Sequence, residues 1–112
     1  VGTLEVLYAD RKLSKICESE REMCRTYGPS LSGKISQRLA ALRAAETLED
    51  MRPPMPGKCH ALHGNYDGCL SLHLNANWRL IFSPTEYAED EQGGLDWSSV
   101  TSVTIEEIED YH

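Results

Sequence analysis

Several chemistries have nothing to run on in this chain. It carries no Gly-rich phosphate loop, no nucleophile elbow and no His-Glu-x-x-His pair, which excludes the common phosphate-cradling, serine-hydrolase and zincin designs. The four cysteines, Cys17, Cys24, Cys59 and Cys69, form no Cys-x-x-Cys pair and no tight framework. With no segment resembling a secretion signal, they are expected to be reduced, half-buried thiols of a cytoplasmic protein. The spacing of His60, His63 and His73 with Cys59 or Cys69 matches no familiar finger or ribbon, so no metal or other cofactor is expected. No apolar run approaches the length of a membrane span, and no repeat is visible. At 112 residues the chain has room for one core, and 1–112 is read as a single domain.

Basic residues are missing from the last quarter altogether. The formal net charge is −7, which at first sight argues against a nucleic-acid partner. The charge is not evenly spread, however. Residues 1–51 hold eight acidic and eight basic side chains. Residues 52–85 hold Arg52, Lys58 and Arg79 against Asp67 alone, and residues 86–112 hold nine acids with no Lys or Arg. The whole negative excess is C-terminal, and the central segment remains able to face an anion.

What is present reads as an α+β layer. Leu4, Val6 and Tyr8 alternate with Glu5 and Leu7, predicting a short N-terminal strand. Asp10 is a plausible N-cap for a helix running to about Tyr27, with Leu13, Ile16, Cys17, Met23, Cys24 and Tyr27 on its apolar face. Gly28-Pro29 ends that helix. A second one carries Ile35, Leu39, Leu42 and Ala45 on one stripe, so the two form a helical hairpin. Arg52-Pro53-Pro54-Met55-Pro56-Gly57 is a connector. After it the hydrophobic period changes to two. Strands are expected at 58–63, 69–74 and 78–83, with Leu70, Leu72 and Leu74 on one face and a hairpin loop at 64–68. Residues 84–99 read as a long acidic loop. Val100-Thr101-Ser102-Val103-Thr104-Ile105 begins a last strand leading into the tail. The helical hairpin is expected to lie on one face of a mostly antiparallel sheet.

The candidate chemistry lies after the connector, in His60, His63, Arg79 and the terminal Asp110-Tyr111-His112. Adjacent strands run about 5 Å apart, so residues distant in sequence can converge on one face. Two imidazoles, a guanidinium and a phenol suit acid–base phosphoryl chemistry on RNA. One group removes the 2′-hydroxyl proton, another protonates the leaving 5′-oxygen, and a cation stabilises the phosphorane. No metal is required for that route. Each residue also has a plain structural reading: a half-exposed strand histidine, an arginine alternating outward from Trp78, a tyrosine at a sheet edge.

Three segments together resemble the HigB-type killer toxins of the RelE/ParE superfamily of bacterial toxin–antitoxin modules. These are Cys59-His60-Ala61-Leu62-His63-Gly64, Trp78-Arg79-Leu80-Ile81-Phe82 and Ile105-Glu106-Glu107-Ile108-Glu109-Asp110-Tyr111-His112. Gln37-Arg38-Leu39-Ala40-Ala41-Leu42 and the stretch from Ala44 to Met51 resemble the family's second helix. The resemblance implies a RelE-like fold of the microbial ribonuclease type and ribosome-dependent cleavage of messenger RNA. It implies inhibition by a helix-turn-helix, HigA-like antitoxin, with operator DNA bound only through that complex and no membrane partner. It places His60, Asp110, Tyr111 and His112 on catalytic positions and Arg79 on the phosphate-contacting arginine, with Lys58 and His63 beside the substrate. His60 and His112 are then the acid–base candidates, Asp110 orients an imidazole or raises its pKa, and Tyr111 positions the nucleotide. The chain departs from the family pattern at His63 and at Asn65-Tyr66-Asp67-Gly68, where basic residues are common. Fewer positive charges weaken phosphate contact. Two other functions therefore stay open, a catalytically weak co-repressor acting with the antitoxin and a ParE-like gyrase inhibitor.

Overall fold

The computed structural model describes residues 3–110. Strand β1 (Glu5–Tyr8) leads into helices α1 (Arg11–Cys17), α2 (Glu20–Tyr27) and α3 (Pro29–Ala44). Strands β2 (His60–Ala61), β3 (Leu70–His73), β4 (Trp78–Glu86) and β5 (Ser102–Asp110) follow. The strands form one sheet in the order β1-β5-β4-β3-β2. β1 runs parallel to β5, and the other described pairs are antiparallel. The expected α+β class is the one found.

The first helix is not continuous to Tyr27. Asp10 caps α1 as its sequence predicts, accepting the Leu13 N–H at 2.7 Å. The chain then leaves helical geometry at Ser19 (φ −128°, ψ 115°), whose hydroxyl accepts the Glu22 N–H at 3.2 Å. Ser19-Glu20-Arg21-Glu22 is a capping-box sequence, a start signal inside an apparently unbroken apolar period. The break separates Cys17, which is buried, from Cys24, which is exposed rather than in the core. Gly28, at φ +84°, makes the turn into α3, a conformation glycine adopts without steric cost, and Pro29 opens the new helix where no N–H is needed.

One hydrophobic cluster joins the helices to one face of the sheet. Ile35, Leu39 and Leu42 of α3 pack in it with Leu70 and Leu72 of β3, Leu80 and Phe82 of β4, and Val103 and Ile105 of β5. Leu70, Leu72 and Leu74 share this face, as their alternation predicts. The strand expected at 58–63 pairs only through His60 and Ala61, and the loop after it contains a short 3-10 turn, Gly64–Tyr66. β4 continues through Pro84 to Glu86, into the segment expected to be loop. Beyond it, Glu89 and Leu95 form an isolated bridge, and the Arg52 guanidinium lies 4.3 Å above the Trp97 ring.

A β-bulge in β5 decides which residues reach the opposite face. Phe82 pairs with Ile105 but Ile81 pairs with Glu107, so Glu106 is an extra residue on β5. An inserted residue reverses the alternation beyond it. Ile105 and Ile108 therefore both join the core, while Glu107 and Glu109 turn to the face away from the helices. Asp110 pairs with Trp78, which packs on the core side with its ring 5.8 Å from that of Tyr27.

Candidate functional site

The face away from the helices carries the polar chemistry. His60 pairs with Ser71 across β2 and β3, His73 with Arg79 across β3 and β4, and Arg79 with Glu109 across β4 and β5. Cross-strand partners project from the same side of a sheet. The register thus brings His60 of the edge strand β2 and Arg79 of β4, two of the expected site residues, onto one surface with Ser71, His73 and Glu109.

His60 is held in a defined orientation. Its Nδ1–H donates to the Lys58 carbonyl at 2.8 Å, and its Nε2 lies 3.4 Å from the Ser71 hydroxyl. A carbonyl can only accept, so Nδ1 carries a proton and Nε2 is the atom left to exchange one. Lys58 places its carbonyl from a left-handed backbone (φ 48°), uncommon for a non-glycine residue. Gly57 just before it has φ +109°, and a Cβ there would meet Leu72 Cδ2 at 2.9 Å, so glycine is required for the approach. The Gly57 carbonyl accepts the His73 N–H at 2.7 Å, and Arg38 Nε of α3 donates to the His73 carbonyl at 2.9 Å. The segment before β2 is thereby stitched to β3.

Arg79 is engaged by acids of β5. Its Nε donates to Glu109 at 2.8 Å, and its guanidinium lies 5.4 Å from the centroid of the Tyr66 ring. Tyr66 comes from the turn between β2 and β3, yet its hydroxyl reaches β5. There its hydroxyl donates to Glu109 at 2.7 Å and is also bonded to Glu107. The Glu107 hydrogen bond first, and that to Glu109 next, push the Tyr66 phenol well above its usual value. The Tyr66 hydrogen bond and then Arg79 hold the Glu109 carboxyl below the usual carboxylate range, against the opposing effect of burial. Beneath this cover Ser71 and Ile81 are fully buried.

The other expected site residues lie elsewhere or outside the described residues. Asp110, by its pairing with Trp78, projects to the helix side of β5, opposite Glu109. Lys58 is close enough to His73 for its charge to act on that imidazole. His63 lines a cleft of about 470 Å³ that also takes in Cys69, Leu70, Tyr87, Glu89 and Leu95. Tyr111 and His112 lie outside the described residues. Among the described residues no group of three or more His, Cys, Asp or Glu could hold a metal ion, and no helix is long and apolar enough to cross a membrane. Burial pushes the Cys59 thiol up to about 12 and the Cys17 thiol to about 11, which leaves both as thiols at neutral pH and poor nucleophiles.

Sequence reasoning missed Tyr66, His73 and the two carboxylates of β5. His73 had a usable signal, since alternation with Leu72 and Leu74 sends it to the face opposite the core. Glu107 and Glu109 also had one. Two polar residues in succession, Glu106 and Glu107, separate Ile105 from Ile108, and that doublet marks the bulge. Tyr66 had none, because its partners are on a strand more than forty residues away.

The comparisons agree with this architecture. A chain of the YoeB–YefM complex from Staphylococcus aureus is similar with a TM-score of 0.54 and 16% identity, over 99% of this chain and 99% of that one. The YoeB/ParE toxin from Agrobacterium tumefaciens gives a TM-score of 0.53 at 14% identity, over 97% and 99%. At such identities the likeness is one of fold. No curated protein matches the sequence. The family model of the RelE-like toxin of type II toxin–antitoxin system HigB matches residues 6–92, and the chain belongs to that family of toxins.

Proposed function

We propose that this toxin is a metal-independent endoribonuclease that cleaves messenger RNA on the ribosome and so inhibits translation. The observation that supports it most is the common face of His60 and Arg79, with the His60 Nε2 left as its proton-exchanging atom. His60 and His112 carry the two proton transfers. One takes the 2′-hydroxyl proton as the 2′-oxygen attacks phosphorus; the other gives a proton to the 5′-oxygen as the P–O5′ bond breaks. The products are a 2′,3′-cyclic phosphate and a 5′-hydroxyl. Arg79 stabilises the charge of the phosphorane. Asp110, which projects away from the His60 face, orients the imidazole of His112, Tyr111 positions the nucleotide, and Lys58 and His63 contact the RNA backbone. A HigA-like helix-turn-helix antitoxin is the inhibitory partner, the cytoplasm is the compartment, and operator DNA is bound only through the toxin–antitoxin complex. The solved YoeB–YefM toxin–antitoxin complex supports an antitoxin as partner.

Growth arrest on induction tests the reading. The wild type should arrest growth with cut messages, and His112→Ala should relieve the arrest; unchanged toxicity would refute the catalytic role of the tail. A second reading, a co-repressor with little catalysis, draws support from the engagement of Arg79 by Glu109 in a chain of net charge −7. Operator binding with the antitoxin but no arrest on induction would favour it.

A further inference from the structure

His73 stands where the positive groups of the site meet. Its cross-strand partner is Arg79, and its ring centroid lies 6.1 Å from that of His60, the planes tilted by 52°. Lys58, His60, Arg79 and Arg38 all act on it electrostatically. They come from the segment before β2, from β2, from β4 and from α3, so four separate parts of the fold direct charge at one imidazole. The His73 backbone is fixed on both sides, by the Gly57 carbonyl and by Arg38 Nε. Burial first, and then these cations, hold its pKa below the ordinary histidine value. At neutral pH the ring is uncharged and keeps one N–H to donate.

We propose that His73 is a catalytic residue of this site, donating a ring N–H to a non-bridging oxygen of the scissile phosphate in the space between His60 and Arg79. The inference rests on the ribonuclease reading above and adds a substrate contact to it. Two imidazoles that each reach about 3 Å to a hydrogen-bond partner can both touch a phosphate lying between them. The non-bridging oxygens gain charge as the phosphorane forms, so a donor aimed at one of them binds the transition state more strongly than the ground state. Its loss therefore falls on kcat rather than KM.

The test uses the full chain and ribosome-bound message. His73→Ala should lower kcat by about 100-fold, the usual scale for one lost donor of this kind, with KM within about threefold. His73→Gln, which keeps an amide N–H, should recover at least about tenfold of that loss. Both variants keep the backbone bonds of His73 to Gly57 and Arg38, and thermal unfolding checks that each is folded where kcat is read. In parallel, the histidine ring resonances are followed while a 2′-deoxy oligonucleotide, which cannot be cleaved, is added. The His73 ring signals should move. An unchanged kcat in an active His73→Ala chain, or ring signals that ignore the oligonucleotide, overturns the proposal. A wild type that cuts no message overturns the ribonuclease reading instead, and the ring signals then decide by themselves whether the phosphate contact stands.

Discussion

Arg79 and Glu109 face each other across β4 and β5 and close an ion pair at 2.8 Å. Arg79, the phosphate-stabilising cation of the proposed cleavage, is thus held by a carboxylate of its own chain, and any anion that approaches it has to compete with Glu109. Tyr66 strengthens the competitor by donating to the same carboxyl group. The bulge at Glu106 creates the arrangement, because without it Glu109 would project to the core side.

Removing the charge of Glu109 should therefore help an anion to bind. Glu109→Gln keeps an acceptor for Tyr66 and Arg79 but loses the ionic attraction. A partly exposed pair of this kind is worth up to about 1 kcal/mol, so affinity for a 2′-deoxy oligonucleotide should rise about 3- to 5-fold. Fluorescence anisotropy at fixed salt measures it, and weaker binding by the variant would contradict the competition.

The same network sets a pH dependence. The Glu109 pKa is depressed, so its contribution to stability is present above the unfolded value of about 4.3 and is lost as the pH falls through the lower folded value. Urea midpoints should drop on acidification below about pH 4.3, and less steeply in Glu109→Gln. Tyr66 acts with the opposite sign. Its pKa is raised, so its contribution is full below about 10 and fades above that as the unfolded phenol ionises. Tyr66→Phe should flatten the alkaline limb. Parallel curves for wild type and variants would show that the network is not formed in solution.

Deleting Glu106 tests the bulge directly. The extra residue is then gone, and Glu107, Ile108 and Glu109 keep their partners Ile81, Leu80 and Arg79, so Ile108 stays on the core side and Glu109 on the other. The deletion should therefore cost no more than about 1 kcal/mol in urea unfolding, whereas in a strand without a bulge it would turn Ile108 outward and Glu109 toward the core and cost several times that. Replacing Glu106 by Gln keeps the residue count and should leave stability within about 0.5 kcal/mol. A deletion that unfolds the chain while Glu106→Gln leaves it stable would argue against the register.

The break between α1 and α2 predicts a local cost. Ser19→Ala removes the side-chain acceptor for the Glu22 N–H and should lower stability by about 1 kcal/mol. A continuous helix through residue 19 would instead gain from alanine, so stabilisation would rule out the break.

Local patterns were legible in the sequence, and long-range pairings were not. The period of two in Leu70, Leu72 and Leu74, the Asp10 cap and the Gly28-Pro29 turn each depend on neighbouring residues, and each is found where alternation or capping chemistry places it. The Ser19 cap was equally local but hidden by an apolar period that continued across it. Parallel pairing of β1 with β5 joins Glu5 to Ser102, a distance along the chain that no local pattern encodes. At the candidate site, His60 and Arg79 stood out by residue type. That they share a face depends on register, and Glu109 reaches Arg79 only because one residue is inserted in β5. The negative charge read from composition as a diffuse handicap to RNA binding is partly a specific one, with Tyr66 fixing two of the carboxylates over the sheet.

Ribosome-programmed cleavage with analysis of the new ends tests the central claim most directly. Purified toxin should cut the message and leave 5′-hydroxyl ends opposite 2′,3′-cyclic phosphates, and Arg79→Ala should slow cleavage by about 100-fold. An intact message at high toxin concentration, or 5′-phosphate ends, would contradict the account.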